Sequence, residues 1–160
     1  MKNCILFLLS FYQAQYVKDK ELFLIPKGYI GSITILHSQK DGRKEEYIGN
    51  RRAYHIPSCG TLKTQFPEQF GIVEDVHDHF LFVYTHNGIT TDTIPYLSNF
   101  EDIDSNHLDR VYVYCRINGG YQNEQYNFRK IVQYGLDSLK NIRRYNTLNF
   151  DIPAKMEKCK

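Results

Sequence analysis

Residues 80–94 read FLFVYTHNGITTDTI, and this stretch carries the clearest fold signal in the chain. Phe80–Thr85 is an apolar run rich in aromatic and β-branched side chains, which is typical of a buried strand. Asn87-Gly88 follows, and this dipeptide favours the tight turn of a β-hairpin. Thr90–Ile94 then supplies a returning strand that stops at Pro95. The stretch therefore predicts a hairpin in a mainly β protein.

The same pattern of short strands closed by proline or glycine recurs towards the N-terminus. Proline cannot donate to a strand ladder, so each proline marks the end of a strand. Lys40–Arg43 contains an Asp-Gly pair and predicts a second hairpin, with Glu45–Ile48 as the returning strand. The other predicted strands in this half are Leu22–Ile25, Ser32–Leu36, Arg52–Ile56 and Leu62–Phe66.

The C-terminal half predicts two further strands and one helix. Val111–Ile117 alternates in the manner of a strand, and Asn118–Gly120 predicts a turn into a partner strand at Asn127–Tyr134. Asp137 is a suitable N-cap for a short helix over Ser138–Arg144. Asn149–Ile152 predicts a last strand.

These elements predict a mainly β protein, a single antiparallel β-sandwich or barrel-like domain with one short C-terminal helix. The predicted domain covers residues 16–153, and residues 154–160 form a charged, frayed tail. The content of 13 Tyr and 10 Phe suits half-buried strands, where a ring packs and a hydroxyl reaches water.

Residues 1–15, MKNCILFLLSFYQAQ, have the features of a signal peptide. Lys2 gives a positive start, Cys4–Tyr12 is an apolar run, and Ala14 is a small residue after which a peptidase could cut. The run is shorter than the roughly 20 apolar residues that span a bilayer, so no transmembrane segment is predicted after leader removal. The alternative is a buried first strand of an intracellular protein.

Four cysteines, Cys4, Cys59, Cys115 and Cys159, fit no zinc or C-x-x-C redox spacing. Cys4 lies in the predicted leader, which leaves three cysteines in the domain. A Cys59–Cys159 or a Cys59–Cys115 disulfide is compatible with an oxidising compartment, and the sequence does not choose between them.

The best candidate for chemistry is Asp75-Val76-His77-Asp78-His79. In an extended strand, Asp75, His77 and His79 would share one face, and two imidazoles with a carboxylate can bind a metal ion. A small metal-dependent enzyme is therefore the alternative function. The acidic segment 102–106 resembles only part of a calcium loop, and no phosphate-binding or dinucleotide fingerprint occurs, so no cofactor is predicted.

Two motifs resemble an uncharacterised family of short bacterial exported proteins with a domain of unknown function. They are Ile25-Pro26-Lys27-Gly28-Tyr29-Ile30-Gly31 and the stretch from Tyr54 to Phe66, which follows a Y-x-I-P-x-x-G-x-L-x-T-Q-F pattern. The resemblance implies export and a compact domain, and it brings no activity, cofactor or catalytic residue. The physical role of the motifs is structural, because Ile-Pro ends strands and glycine permits turns.

Charge excludes one class of partner. The formal net charge is +2, which is too small to drive binding to nucleic acid through charge alone. The sequence therefore predicts a non-enzymatic exported module with a binding or structural role in the cell envelope. Its expected partner is an envelope protein or a glycan, and its expected location is the periplasm, the envelope or the medium.

Overall fold

A computed structural model of the 160-residue chain describes residues 19–69, 71–98, 106–123, 126–142 and 159, with the backbone alone for 115, 116 and 118–130. Three expectations lie outside these residues: the leader at 1–15, the strand at Asn149–Ile152 and all of the tail at 154–160 except Cys159.

Ten strands and two one-turn helices make up the described regular structure. In chain order they are β1 (Lys20–Pro26), β2 (Gly31–Leu36), β3 (Tyr47–Ile48), β4 (Arg51–His55), β5 (Thr61–Lys63), α1 (Val76–His79), β6 (Phe80–His86), β7 (Ile89–Ile94), β8 (Tyr96–Leu97), β9 (Val111–Asn123), β10 (Tyr126–Ser138) and α2 (Leu139–Ile142).

The strands form two five-stranded sheets. The first sheet has the order β3-β4-β1-β6-β7, and the second has the order β5-β2-β10-β9-β8. The prediction of a mainly β protein with two sheets is confirmed, and the sheets do not close into a barrel. The prediction of antiparallel pairing throughout is wrong: β1 runs parallel to both β4 and β6, while β6 and β7 form an antiparallel hairpin.

Aromatic rings fill the space between the sheets. Phe23 of β1 stacks on Tyr54 and Phe82 of its own sheet, with ring centroids 5.1 and 4.3 Å apart. Tyr134 of the second sheet meets Phe23 and Phe82 edge-on, 5.2 Å from each. Contacts of this kind add roughly 0.5–1.5 kcal/mol each beyond the burial of the rings. The high Tyr and Phe content thus supplies the sandwich core.

Two corners explain why the sheets contain parallel pairs. The chain passes from β1 to β2 through a first corner (residues 27–30) and from β4 to β5 through a second corner (residues 56–60), each time changing sheet. Since β1 and β4 are parallel neighbours, two short corners side by side place β2 and β5 next to each other in parallel too. Hydrogen bonds join the two strand–corner–strand segments, β1 to β2 and β4 to β5, at both ends. Ile56 N donates to Leu24 O at 2.9 Å on the side of the first sheet, and Thr34 N donates to Gly60 O at 2.8 Å on the side of the second.

One predicted hairpin and one predicted turn are wrong, although the chain does turn at residues 39–42, where Gly42 N donates to Gln39 O at 3.0 Å. Lys40–Arg43 does not close a hairpin, since β2 pairs with β5 and β10, and β3 pairs with β4 in the other sheet. Asn118–Gly120 lies inside β9, where it pairs with residues 130–132 of β10. Both errors have one cause: a local turn signal is weaker than the pairing offered by a strand that is distant in sequence.

The short C-terminal helix is confirmed as α2. The Asp137 carboxylate accepts bonds from Ser138 N at 2.6 Å and from Asn141 Nδ2 at 2.9 Å. Leu139 and Ile142 are buried against a cluster that includes Tyr112, so this helix covers part of the outer face of the second sheet. Neither described helix has the length and apolar character needed to cross a membrane.

Candidate functional site

The motif Asp75–His79 is helical rather than extended, which overturns the geometry expected for a metal site. Asp75 is the N-cap of α1, and its Oδ1 accepts bonds from His77 N at 2.9 Å and Asp78 N at 3.1 Å. An Asp side chain that accepts bonds from the backbone N–H groups of the first turn is a typical helix N-cap. The three proposed ligands, Asp75, His77 and His79, therefore do not share one face of a strand.

Asp78, the acidic residue left out of the proposed ligand set, has the strongest contacts of the motif. Its carboxylate lies 2.5 Å from Lys20 Nζ and 3.6 Å from an Arg51 guanidinium nitrogen. Arg51 also donates to the carbonyl oxygens of Asp78 and His79, at 2.9 and 3.1 Å. The hydrogen bond from Lys20 lowers the pKa of Asp78, and the neighbouring positive charges act in the same direction. The motif therefore fixes α1 to β1 and β4.

The two histidines point to different surroundings. His77 Nε2 lies 3.3 Å from Ser98 Oγ, in an exposed position. The His79 side chain is buried, and its ring meets that of Phe80 edge-on with centroids 4.5 Å apart. Across the residues that the structure describes, no group of three His, Cys, Asp or Glu side chains is placed to share a metal ion.

A polar cluster that sequence reasoning missed lies at one end of the sandwich, around Arg52. The guanidinium donates from Nε and from a terminal nitrogen to Asp19 Oδ2, at 2.9 and 2.8 Å, and from its other terminal nitrogen to Pro67 O at 2.7 Å. Its carbon lies 5.0 Å from the centre of the Phe66 ring. Arg52 is 8 % exposed, so these internal acceptors replace water. Because these acceptors bind the guanidinium within the protein, its role is structural.

Gln69 extends this cluster to the start of β1. It exchanges bonds with the Asp19 backbone, with Asp19 N donating to Oε1 at 3.2 Å and Nε2 donating to Asp19 O at 2.9 Å. The same Nε2 lies 3.4 Å from Glu21 Oε1. Since Glu21 pairs with Arg52 in the strand register, opposite charges meet on the inner face of the sheet. The sequence signal for this pairing was weak, because the charged residues stand at the start of both strands, Lys20 and Glu21 in β1 and Arg51 and Arg52 in β4, where exposed charges are common.

Tyr54 is the buried residue of the cluster that could be considered for chemistry. Burial raises its pKa far above the usual range, and the charge of Glu21 raises it further, against the opposing effect of Arg52. A phenol in this state stays protonated at neutral pH and cannot act as a base or nucleophile. The cluster therefore stabilises the end of the sandwich and offers no activated group.

A disulfide joins Cys59 in the second corner to Cys159 near the C-terminus. The two Cα atoms are 5.5 Å apart, and both sulfurs lie within 3.8 Å of Thr61 O. The structure selects this pairing from the two that the sequence left open. Cys59 therefore has no free thiol and cannot act as a nucleophile paired with His55, four residues before it. Instead, His55 Nε2 lies 3.1 Å from a Glu46 carboxylate oxygen.

A protein-family model described as "Family of unknown function" and designated DUF6843 matches residues 17–134. The chain belongs to this DUF6843 family. The match contains both corners, and therefore both Ile-Pro motifs, within its limits. The expected membership in an uncharacterised family is confirmed, and the DUF6843 membership brings a fold but no activity.

One solved structure similar to the DUF6843 chain is a 2.75 Å crystal structure described as "Putative Lipoprotein from Bacillus anthracis". The two share 13 % sequence identity with a TM-score of 0.58, over 88 % of this chain and 90 % of the other. At that identity the likeness shows a common fold. A comparison with curated proteins gave no match.

Proposed function

We propose that this protein is a non-enzymatic β-sandwich module that is exported and acts in the cell envelope by binding or by structure. The observation that carries the proposal is the Cys59–Cys159 disulfide. Disulfides form and persist in oxidising compartments, whereas cytosolic thiols are normally kept reduced. The pairing therefore favours a site of action outside the cytosol.

Three further observations support export. Residues 1–15 have the charge and hydropathy pattern of a signal peptide, and the family match begins at residue 17. The Bacillus anthracis protein with the same fold carries a lipoprotein description, which is an envelope class. The leader of the present chain has its cysteine before the apolar run, so the proposal is an exported domain without a lipid anchor.

A binding role rests on the surface rather than on the buried polar groups, which are committed to internal bonds. Tyr47 and Ile48 form the edge strand β3 and are 49 % and 44 % exposed. A half-exposed Tyr ring beside an aliphatic side chain can pack on a sugar ring or on an apolar protein surface. We assign the expected partner, an envelope protein or a glycan, to this edge.

Export is tested on the chain recovered from fractionated cells of a bacterium that secretes proteins. Thiols are blocked by alkylation under denaturing conditions, before and after reduction, and peptides are identified by mass spectrometry. We expect the N-terminus after Ala14, with Cys59 and Cys159 alkylated only after reduction. A Cys59→Ser variant is the control, because it should leave Cys159 reactive from the start. An intact Met1 in the cytosolic fraction with both cysteines reactive would overturn the proposal.

Binding is tested by co-sedimentation of the purified protein with isolated cell walls and with membranes. We expect Tyr47→Ala to reduce the bound fraction several-fold. Ile89→Ala is the matched control, because Ile89 is a 70 % exposed apolar residue at the opposite edge of the same sheet. Equal loss in both variants, or no binding by the parent protein, would contradict an envelope-binding role for β3.

A further inference from the structure

The chain contains two Asn-Gly pairs, Asn87-Gly88 and Asn118-Gly119. An asparagine before a glycine loses its side-chain amide more readily than other asparagines. The reason is that glycine has no Cβ, so its backbone nitrogen can approach the carbonyl carbon of the asparagine side chain without hindrance. The two pairs have the same local chemistry but different backbone surroundings, so the fold decides which of them reacts.

The first pair, Asn87-Gly88, forms the two-residue loop of the hairpin between β6 and β7. Its φ angles are +50° and +76°, and both residues are exposed. His86 and Ile89 pair with each other and close the loop, so the Gly88 amide lies outside the strand ladder. A Cβ built on Gly88 would have no atom within 4 Å, so the space beside the pair is open. The reacting groups can therefore meet after a local movement of the loop.

The second pair, Asn118-Gly119, lies inside β9. In the strand register Asn118 pairs with Val132 of β10, and Gly119 pairs with Ile131. The backbone would have to leave its extended conformation before the Gly119 nitrogen could reach the preceding side chain. Val132 and Ile131 are buried, so opening the ladder at this point disturbs residues that are packed in the protein. The same reaction therefore needs a much larger opening of the structure here than at the hairpin loop.

We infer that Asn87 is a site of spontaneous deamidation in the folded protein, with water as the co-reactant. The Gly88 nitrogen loses its proton and attacks Asn87 Cγ, so that an N–Cγ bond forms. The Cγ–Nδ2 bond breaks, and the side-chain nitrogen leaves as ammonia with the proton that Gly88 gave up. Water then opens the cyclic imide. Attack at Cγ gives aspartate, and attack at the main-chain carbonyl carbon gives isoaspartate, with no oxidation or reduction in either step.

The two products affect the hairpin differently. Aspartate, like asparagine, tolerates a left-handed backbone, so it keeps the turn and adds one negative charge at the tip. Isoaspartate lengthens the main chain by one carbon atom, which does not fit a two-residue loop closed by His86 and Ile89. Further along the hairpin, Phe82 pairs with Ile94, and both side chains are buried. The disturbance is therefore confined to the tip of the hairpin, and the sandwich core is retained.

The test incubates the purified, disulfide-bonded protein in mildly alkaline buffer, because the attack needs a deprotonated amide nitrogen. Mass spectrometry of peptides follows deamidation at each asparagine over time, and a protease that cleaves before aspartate but not before isoaspartate separates the two products. A parallel sample in denaturant is the matched control, since both Asn-Gly pairs are then released from the fold. The quantity compared is the rate in the folded protein divided by the rate in denaturant, at each site.

We expect this ratio to be at least about tenfold higher at Asn87 than at Asn118, which corresponds to about 1.4 kcal/mol of additional opening free energy at the strand site. Asn87→Gln should abolish the reaction in the hairpin and leave the rate at Asn118 unchanged. Aged protein should keep the thermal unfolding midpoint of fresh protein. Equal ratios at the two sites, a higher ratio at Asn118, or an unreactive Asn87 in the folded protein would each overturn the proposal.

Discussion

The Cys59–Cys159 disulfide gives the most direct test of the structure. We expect Cys59→Ser, Cys159→Ser and the double variant to lower the free energy of unfolding by the same amount, because each removes the same covalent bond. The bond joins residues separated by 100 positions, and it ties the second corner to the C-terminus. It therefore restricts a large part of the unfolded chain.

The magnitude follows from the length of the closed loop. The chain-entropy relation gives about 4.7 kcal/mol at 25 °C for a loop of roughly 100 residues, and natural disulfides typically contribute about 2–5 kcal/mol. With a urea dependence of about 2 kcal/mol per molar for a small protein, the unfolding midpoint should fall by roughly 1–2.5 M.

The assay is urea unfolding followed by tyrosine fluorescence and far-ultraviolet circular dichroism, with and without reductant. Reductant should bring the parent protein to the stability of the double variant and leave the variants unchanged. Variants as stable as the oxidised parent would refute the reasoning. Costs that add in the double variant would refute it too, since two halves of one bond cannot contribute independently.

Three further predictions concern single side chains. Arg52→Ala should lower the free energy of unfolding by about 1.5–3 kcal/mol, because it removes the charge-assisted hydrogen bonds to Asp19 and Pro67 O and the contact with the Phe66 ring, whereas Arg43→Ala, which breaks the exposed Glu46 pair, should cost less than about 1 kcal/mol; equal costs in urea unfolding would contradict the cluster. Gly60→Ala should lower the free energy of unfolding clearly more than Gly28→Ala: φ is +79° and +78° at the two sites, but only at Gly60 would the new Cβ lie 2.6 Å from a backbone oxygen. Gly28→Ala should lower it by about 1–2 kcal/mol, for the left-handed backbone alone, and a similar loss at both sites in thermal unfolding would contradict the corner geometry. The lowered pKa of Asp78 means that its ion pair stabilises the fold above the ordinary carboxyl pKa of about 4 and loses this effect as the pH falls through the lower folded value. Asp78→Asn should therefore melt below the parent at about pH 7 and approach it as the pH falls below that range, and a gap that persists in acid would show that the charge is not the cause.

Local patterns predicted the local parts of this fold. The hairpin at Asn87-Gly88 is present, with φ of +50° and +76° at its two turn residues, because the turn chemistry and both strands lie within one short stretch. The short helix after Asp137 is present too, although it begins at Leu139 and Asp137 is not its N-cap; the Asp137 carboxylate accepts from Ser138 N and Asn141 Nδ2 within the same short stretch. Both features depend on residues close to one another in sequence.

The long-range pairings could not be predicted in this way. Lys20 pairs with Arg51 across the central parallel strands, and nothing in either strand identifies the other. The Gly-Gly pair at 119–120 has a turn signal, but β10 offers a continuous ladder across it. Where a turn preference competes with many strand hydrogen bonds and a buried face, the strand prevails.

The arrangement of the polar side chains could not be predicted for a related reason. Asp75 was assigned to a strand because alternation of Asp and His resembles a metal site, although Asp is also a common helix N-cap. The cluster of Asp19, Arg52 and Gln69 joins residues that are far apart in sequence, since Arg52 and Gln69 lie 33 and 50 residues from Asp19. The pairing of Cys59 with Cys159 is likewise a property of the folded chain, since two pairings were open.

The disulfide has a mechanical consequence for a protein that is held at its C-terminal end. A pulling force applied at residue 160 passes from Cys159 to Cys59 and does not load the chain between them. The bond therefore shields about 100 residues, or roughly 330–360 Å of extended polypeptide, from the applied force. Only after reduction can this hidden length be drawn out, so the oxidised protein behaves under tension as a much shorter chain than its 160 residues imply.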